Sequence, residues 1–153
     1  MIDQRAFSKS RLEAVEPLPY VSRKALKRVK HPSPKIHECD YCGGDVKIAN
    51  NKEVYGRSYG KWPYVYLCEC CNSYVGIHPD TDIPLGTLAD SALREKRRRS
   101  KGVFMGWVKR SGLSLNSAYA VLAEGIGIEV SACHFGMFNE DQCVLAENWI
   151  KGN

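Results

Sequence analysis

The chain has 153 residues, of which 44% are hydrophobic and 25% are charged, a balance typical of a globular protein and not of a disordered one. No stretch approaches the roughly 18 apolar residues of a membrane helix, and residues 1–11 lack the apolar core of a signal peptide. We therefore expect a protein of the bacterial or host cytoplasm that does not enter the membrane.

The net charge of +5 is unevenly distributed along the chain. Residues 1–35 carry nine basic and three acidic residues (+6), residues 36–93 carry four and eight (−4), and residues 94–153 carry nine and six (+3). Basic flanks around an acidic centre favour an anionic partner, although they also serve solubility alone.

Residues 1–35 predict a basic, proline-containing N-terminal arm. Four prolines lie among scattered Lys and Arg residues, and no periodic apolar face is sustained. We expect an extended segment that is ordered only in part unless it docks on a partner.

Residues 36–84 predict a β-rich module. Short runs rich in Val and Tyr, typical of strands, occur at 46–49, 53–59, 64–67 and 74–77. Asn50 and Asn51 tolerate the backbone conformation of a turn between the first two runs.

Residues 85–153 predict three helices that pack with this module. The first begins at an N-cap at Thr87 and continues through the basic run 94–101, with Gly102 and Gly106 as places where it can break. The predicted fold is therefore α+β, with short antiparallel β-hairpins followed by a compact three-helix segment.

The second and third helices have clear end signals. Ser114 is an N-cap, and Gly125 is the expected terminator of the second helix. Asn139 and Gln142 have the spacing of a capping box for a last helix that ends near Ile150.

Two cysteine pairs predict one structural Zn²⁺. Cys39 and Cys42 are separated by two residues, Cys68 and Cys71 likewise, and 25 residues lie between the pairs. Such knuckles direct four thiolates at one point, and four thiolates leave no open coordination position, so the ion is not catalytic. A redox role would need a thioredoxin-like βαβ setting, which the sequence lacks.

The residues around the knuckles support the same prediction. Gly43-Gly44 and Asn72 follow the two knuckles and suit the tight turns that direct amides at the sulfurs. Cys70 breaks the two-residue spacing, so we expect it to be a spare thiol outside the metal site.

Several segments carry a family resemblance. They are Cys39-x2-Cys42-Gly43-Gly44, the segment 54–60 (VYGRSYG), Cys68-x2-Cys71 with 74–81 (YVGIHPDT) and 84–86 (PLG), and the later segments 118–123, 133–138 and 142–143. Over about residues 37–146 the chain resembles a small zinc-finger-containing family of phages and bacterial prophages.

The resemblance implies the fold, the zinc ligands and a phage or prophage setting, but no reaction. Relatives carry a His and a Phe-Asp pair around positions 100–106, where this chain has Lys101 and Phe104-Met105. The resemblance therefore implies no acid–base role at that place.

Two groups of residues are candidates for nucleic-acid binding. The basic run can lie along phosphates, or can be a solvated helix face; its members are Arg94, Lys96, Arg97, Arg98, Arg99 and Lys101. Arg57, Tyr59 and Lys61 alternate with other aromatics on a predicted hairpin, where they can contact unpaired bases and phosphates or cover the ribbon core.

His78 and His134, together with Cys133 and Cys143, are candidates for a second metal site, but the four residues lack tight pair spacing. A buried histidine bonded to the backbone explains the histidines as well. Asp80 and Asp82 near His78 raise the alternative of a metal-dependent nuclease. No known catalytic motif is present, so we expect no enzyme.

The sequence thus predicts a zinc-stabilised accessory protein of phage type that binds nucleic acid or a nucleic-acid machine without chemistry of its own. The alternative is a viral protein for host interaction, a module that inhibits or adapts a host enzyme such as RNA polymerase or a defence nuclease.

Overall fold

The computed structural model describes all residues, Met1–Asn153, as two units, Met1–Asp90 and Ser91–Asn153. The first unit holds a three-stranded sheet and short helices, and the second holds three longer helices. The predicted α+β class, with a ribbon followed by helices, is confirmed. None of the helices combines the length and hydropathy that a membrane span requires.

The sheet contains β1 (Val46–Asn50), β2 (Tyr64–Cys68) and β3 (Tyr74–Gly76) in that spatial order, all antiparallel. Val46 lies opposite Cys68, and Leu67 lies opposite Tyr74. Three of the four predicted strands are therefore present, and the register places the second cysteine knuckle between β2 and β3.

The predicted strand over 53–59 was wrong. A one-turn helix, α2 (Lys52–Tyr55), stands at its start and ends at Gly56, whose φ is +83°. The side chain of Asn50 accepts a hydrogen bond from the Lys52 amide at 2.9 Å, so local side-chain bonding starts a helical turn in a segment whose composition favours a strand.

Successive side chains of a strand point to opposite faces of the sheet. In β2 both sets of side chains are packed against apolar clusters, so both faces are covered. Tyr66 and Cys68 belong to one buried cluster with Val75, Ile77, Leu88 and Cys39. Val65 and Leu67 belong to another cluster with Ala49.

Residues 1–35 differ from the predicted extended arm. They contain a 3-10 helix, Gln4–Phe7, and a helix, α1 (Arg23–Arg28). Their buried apolar side chains pack with Ile83 in a third cluster; these are Ala6, Val21, Leu26 and Val29. The irregular spacing of these residues hides the contact in the sequence, since no single helix or strand carries them.

The second unit contains α3 (Ser91–Ser111), α4 (Leu115–Ile126) and α5 (Glu140–Lys151). Two 3-10 helices, Val130–Ala132 and Phe135–Met137, lie between α4 and α5. One apolar cluster fills the unit, and its fully buried members include Phe104, Leu122 and Phe138.

The predicted caps of the last two helices are confirmed. The Ser114 hydroxyl accepts a hydrogen bond from the Ser117 amide at 3.2 Å. The Asn139 side chain accepts one from the Gln142 amide at 2.8 Å, and the Gln142 side chain accepts one from the Asn139 amide at 2.9 Å.

Two predicted helix limits were wrong, the start at Thr87 and the end at Gly125, and the break left open at Gly102 and Gly106 does not occur. Ala89 exchanges two backbone hydrogen bonds of 3.2 Å with Tyr74, so the chain joins the sheet where a helix was predicted from Thr87. α3 runs unbroken through both of its glycines. α4 ends at Gly127, with φ +74°, and not at Gly125.

The division at Asp90 lies a few residues beyond the boundary predicted between residues 84 and 85. The first unit also includes residues 1–35. Packing of the helical segment with the ribbon stays a prediction.

Candidate functional site

Four sulfur atoms meet at one end of the sheet. The Sγ atoms of Cys39, Cys42, Cys68 and Cys71 all lie within 4.8 Å of one another. The Cys39–Cys71 and Cys42–Cys68 sulfur distances are 3.6 and 3.5 Å. A Zn–S bond of about 2.3 Å gives a tetrahedron with edges of about 3.8 Å, so the sulfur set fits zinc.

Tight turns position the two knuckles. In the first, the Gly43 amide donates to the Cys39 carbonyl at 2.8 Å, and Gly43 has φ +71°. In the second, the Asn72 amide donates to the Cys68 carbonyl at 3.2 Å, and Asn72 has φ +64°. Both residues thus adopt the left-handed conformation that the sequence predicts for them.

Backbone amides also direct hydrogen bonds at sulfur. The amides of Cys70 and Cys71 lie 3.4 and 3.5 Å from the Cys68 Sγ atom. Such bonds stabilise the thiolate form, which is the form that ligates a metal.

The four thiols differ in acidity before a metal neutralises them. Hydrogen bonds from the side chain and the backbone of Ser73 lower the pKa of Cys71 to about 6. A backbone hydrogen bond from Gly44 lowers the pKa of Cys42, but the nearby sulfur of Cys68, burial and the remaining sulfurs together raise it to about 12. Four crowded thiols cannot all ionise alone, so a divalent cation is needed to hold them as thiolates.

Cys70 lies outside the quartet, as predicted. Its side chain is exposed, and its Sγ atom lies only 2.7 Å from the place that a Cβ atom on Gly44 would occupy. Gly44 therefore makes room for a fifth sulfur beside the site.

The site borders the apolar cluster of the first unit that contains Tyr66 and Val75, to which Cys39 and Cys68 belong. Cys39 and Cys68 are buried, while Cys42 and Cys71 are exposed. Because all four donors are protein thiolates, zinc here has a structural role, and its binding supplies folding energy to a module with a small core.

The basic run of α3 is divided between the surface and the core. Arg98, Arg99 and Lys101 are exposed, and Arg94 and Lys96 are half-buried. Arg97 is buried, and its Nε atom donates to the Phe138 carbonyl at 2.8 Å. The prediction that Arg97 contacts nucleic acid was therefore wrong, because its guanidinium satisfies a backbone acceptor inside the helical unit.

Arg57, Tyr59 and Lys61 lie together in the loop between α2 and β2, and all three are exposed. They do not alternate along a strand, because the loop is irregular. The Arg57 guanidinium lies over the Tyr59 ring, with Cζ at 4.6 Å from the ring centroid.

His78 and His134 belong to different units. Burial lowers the pKa of His78. Burial also raises the pKa of Cys133 to about 11, as expected of an inert core thiol. The potential ligands that lie together are the four knuckle cysteines, and a second metal site stays a prediction.

An ion cluster around the buried carboxylate of Asp82 was missed from the sequence. Both carboxylate oxygens of Asp82 accept hydrogen bonds from Arg5, at 2.9 and 2.7 Å, and Lys35 lies 3.2 Å away. Asp82 lies between two segments that carry the family resemblance, but no local pattern connects it to Arg5.

The comparisons with known proteins agree with the metal site. A family model described as a zinc-finger-containing domain matches residues 35–152. No curated protein and no solved structure has significant similarity to the chain.

Proposed function

Since the chain belongs to the zinc-finger-containing domain family, we propose that it is a zinc-stabilised, non-catalytic accessory protein that binds nucleic acid or a nucleic-acid machine. The phage or prophage setting is carried over from the resemblance of the sequence. One observation carries the proposal, namely the exposed basic face of α3.

α3 contains eight basic residues and one acidic residue, Glu95. One side of the helix is buried; its buried residues are Leu93, Arg97, Ser100, Phe104 and Trp107. Positions three or four apart on a helix share a face, so the other side forms a stripe of Arg94, Arg98, Lys101, Met105 and Lys109.

The stripe covers 15 residue steps, which is about 22 Å at about 1.5 Å per residue. Arg98, Lys101 and Lys109 are exposed on this side, and Arg98 pairs with Glu95 one turn before it. A row of cations of this length attracts a phosphate backbone and releases its counterions on binding.

The test is a fluorescence anisotropy titration of the zinc-loaded protein against labelled single- and double-stranded DNA and RNA at several salt concentrations. We expect dissociation constants of about micromolar or below at low salt and a steep dependence on salt. Arg98→Glu, Lys101→Glu and Lys109→Glu together should abolish most of the affinity and flatten the salt slope by about 0.9 per lost phosphate contact.

A matched control carries the same change of net charge elsewhere. Lys9→Glu, Arg11→Glu and Lys24→Glu alter three exposed residues of the first unit. If both triple variants lose affinity equally, net charge alone drives binding and the α3 proposal fails. If no nucleic acid binds even at low salt, nucleic-acid binding itself fails.

A second candidate, a protein-interaction module acting on a host enzyme, is favoured by the turn between α3 and α4. Leu113 and Leu115 are 37% and 46% exposed on either side of the Ser114 cap, and a rigid turn presents apolar side chains well. A complex with purified RNA polymerase or a defence nuclease that survives nuclease treatment and is lost with Leu115→Asp would support this function.

A nuclease is the least supported alternative. Both Asp82 oxygens are bonded to Arg5, and Asp80 accepts a hydrogen bond from Tyr20 at 2.7 Å. These contacts compete with a metal for the carboxylates that the nuclease alternative needs. Magnesium-dependent cleavage that is lost with His78→Ala would contradict the proposal of a non-catalytic protein.

A further inference from the structure

The loop between α2 and β2 has the composition and the geometry of a base-binding surface. We propose that Tyr59 and Arg57 form a stacking site for an unpaired base of a single-stranded nucleic acid, with Tyr55 beside it. The inference rests on the proposed function, nucleic-acid binding. It adds that the nucleic acid is single-stranded and that these residues contact its bases. We call residues 55–61 the stacking loop.

The aromatic side chains of this region fall into two groups. Trp62 and Tyr66 are committed to the fold: the Trp62 Nε1 atom donates to the Thr81 carbonyl at 3.0 Å, and the Tyr66 hydroxyl donates to the Asp82 carbonyl at 2.6 Å. In contrast, Tyr55 and Tyr59 are 49% and 46% exposed. Neighbouring exposed aromatic rings are candidates for a contact surface.

The exposed group forms one aromatic cluster with a cation over one of its rings. The Arg57 guanidinium lies over the Tyr59 ring. Tyr55 packs edge-on against Tyr59 at 5.5 Å between ring centroids and against Tyr74 at 5.9 Å. Nucleic-acid bases stack on both aromatic rings and guanidinium planes, so a base can add to the preformed Arg57–Tyr59 pair.

The backbone of the stacking loop is held in place. The buried side chain of Asn51 donates to the Tyr59 carbonyl and accepts from the Tyr59 amide, each at 3.0 Å. The Ser58 hydroxyl donates to the Asn50 side chain at 2.7 Å. A loop fixed in this way loses little conformational entropy when a ligand binds.

The charges around the stacking loop favour a polyanion. Residues 52–61 contain three basic residues, Lys52, Arg57 and Lys61, and one acidic residue, Glu53. Glu53 is neutralised by Lys47 at 3.1 Å. The cations that remain can follow phosphates on either side of a stacked base.

The strand form follows from access to the base. In a duplex, both faces of a base are covered by its neighbours, so an exposed ring can stack only on an unpaired base. Stacking ignores base identity because every base has a π-face. We therefore expect weak sequence preference.

The experiment compares Tyr59→Leu with Phe7→Leu in the full chain. Phe7 is a matched control because it is 60% exposed in the same unit and has its own cation, the Lys27 Nζ atom at 5.8 Å from the ring centroid. The probes are a labelled mixed-sequence single strand as DNA and as RNA, the corresponding duplex, and an abasic strand of equal length. Zinc content and far-UV circular dichroism check that each variant is folded.

We expect Tyr59→Leu to weaken binding of the single strand by on the order of tenfold, and to leave the duplex, the abasic strand and the salt slope unchanged. Phe7→Leu should change none of them. Arg57→Lys, which keeps the charge and removes the planar group, should weaken the single strand severalfold at an unchanged salt slope.

The two proposals fail in different ways. If the wild-type protein binds nucleic acid but Tyr59→Leu binds the single strand normally, or loses single strand and duplex equally, the stacking site is wrong and the α3 proposal stands. If the wild-type protein prefers the abasic strand or binds it equally, the stacking site is also wrong. Absence of all binding overturns both.

Discussion

Asp82 contacts residues that are far from it in the sequence of the first unit. Its side chain is buried and takes both hydrogen bonds of Arg5 as well as the charge of Lys35. Burial alone would raise the pKa of Asp82, but the hydrogen bonds and charges of Arg5 and Lys35 outweigh it and lower the pKa below 3.8. The carboxylate is therefore charged at neutral pH.

A prediction at this scale concerns removal of that charge. Asp82→Asn removes the buried carboxylate that Arg5 and Lys35 share, while Arg5 keeps its second partner Asp3. We therefore expect a loss of about 2 kcal/mol in unfolding free energy at pH 7. A urea titration of the zinc-loaded protein measures it. Because the folded pKa is depressed, this stabilisation is present above pH 3.8 and is lost only as the pH falls through the lower folded value.

Asp80→Asn is the control. Asp80 is bonded to the exposed Tyr20 hydroxyl, and its φ of +62° suits Asn. We expect a change of less than about 1 kcal/mol. Equal losses for the two variants would mean that the Arg5 contact adds nothing specific.

Among the elements, α4 and α5 are held together at a glycine. A Cβ atom on Gly125 would lie 2.3 Å from the Cε2 and Nε1 atoms of Trp149. The glycine therefore lets the two helices approach closely enough for the indole of α5 to rest on the backbone of α4.

This predicts opposite effects for two helical glycines. Gly125→Ala forces Trp149 away and should destabilise the protein by about 1–3 kcal/mol. Gly102→Ala adds a Cβ in open space within α3 and should stabilise the protein by about 1 kcal/mol through helix propensity. Thermal unfolding of both variants checks this, and stabilisation by both would show that Trp149 moves at no cost.

The sequence predicted the elements whose limits depend on neighbouring residues. The caps at Ser114 and Asn139 involve residues three apart, and both were found from spacing. The helix predicted from Thr87 was wrong because Ala89 pairs with Tyr74, which no local pattern shows. Gly125 was predicted to end α4. Its actual role is to make room for Trp149, which lies in another helix and cannot be paired with Gly125 from the sequence.

The metal site followed the same rule. Two C-x-x-C pairs predict one four-cysteine metal site. Each pair forms a local turn, and a single hairpin is enough to bring the two turns together. In contrast, the burial of Arg97 depends on a carbonyl 41 residues away. A run of six basic residues gives no sign of which one turns inward.

At the scale of the whole molecule, the apolar clusters respect the division into units. One cluster lies in Ser91–Asn153 and three lie in Met1–Asp90. The second unit contains helices of 21, 12 and 12 residues, whereas those of the first have 6 and 4. The helical circular dichroism of the protein therefore reports mainly on the unit without zinc.

We predict that metal removal unfolds the first unit and leaves the helices of the second unit folded. A chelator, or acidification that protonates thiols with an ordinary pKa of 9.0, should unfold the sheet and leave most of the signal at 222 nm. Cys71→Ser should behave like the chelated protein, while Cys70→Ser should retain one zinc per chain. Loss of the whole helical signal would mean that the helices depend on the ribbon.

The contact between Arg5 and Asp82 has a consequence for the order of events during synthesis. The partners are 77 residues apart. Arg5 therefore leaves the ribosome well before Asp82 does. At roughly 5–20 residues per second, the 71 residues from 83 to 153 then take roughly 4–14 s to translate. Once Asp82 has left the exit tunnel, the sheet can capture zinc and close on its N-terminal segment while the last helices are still being made.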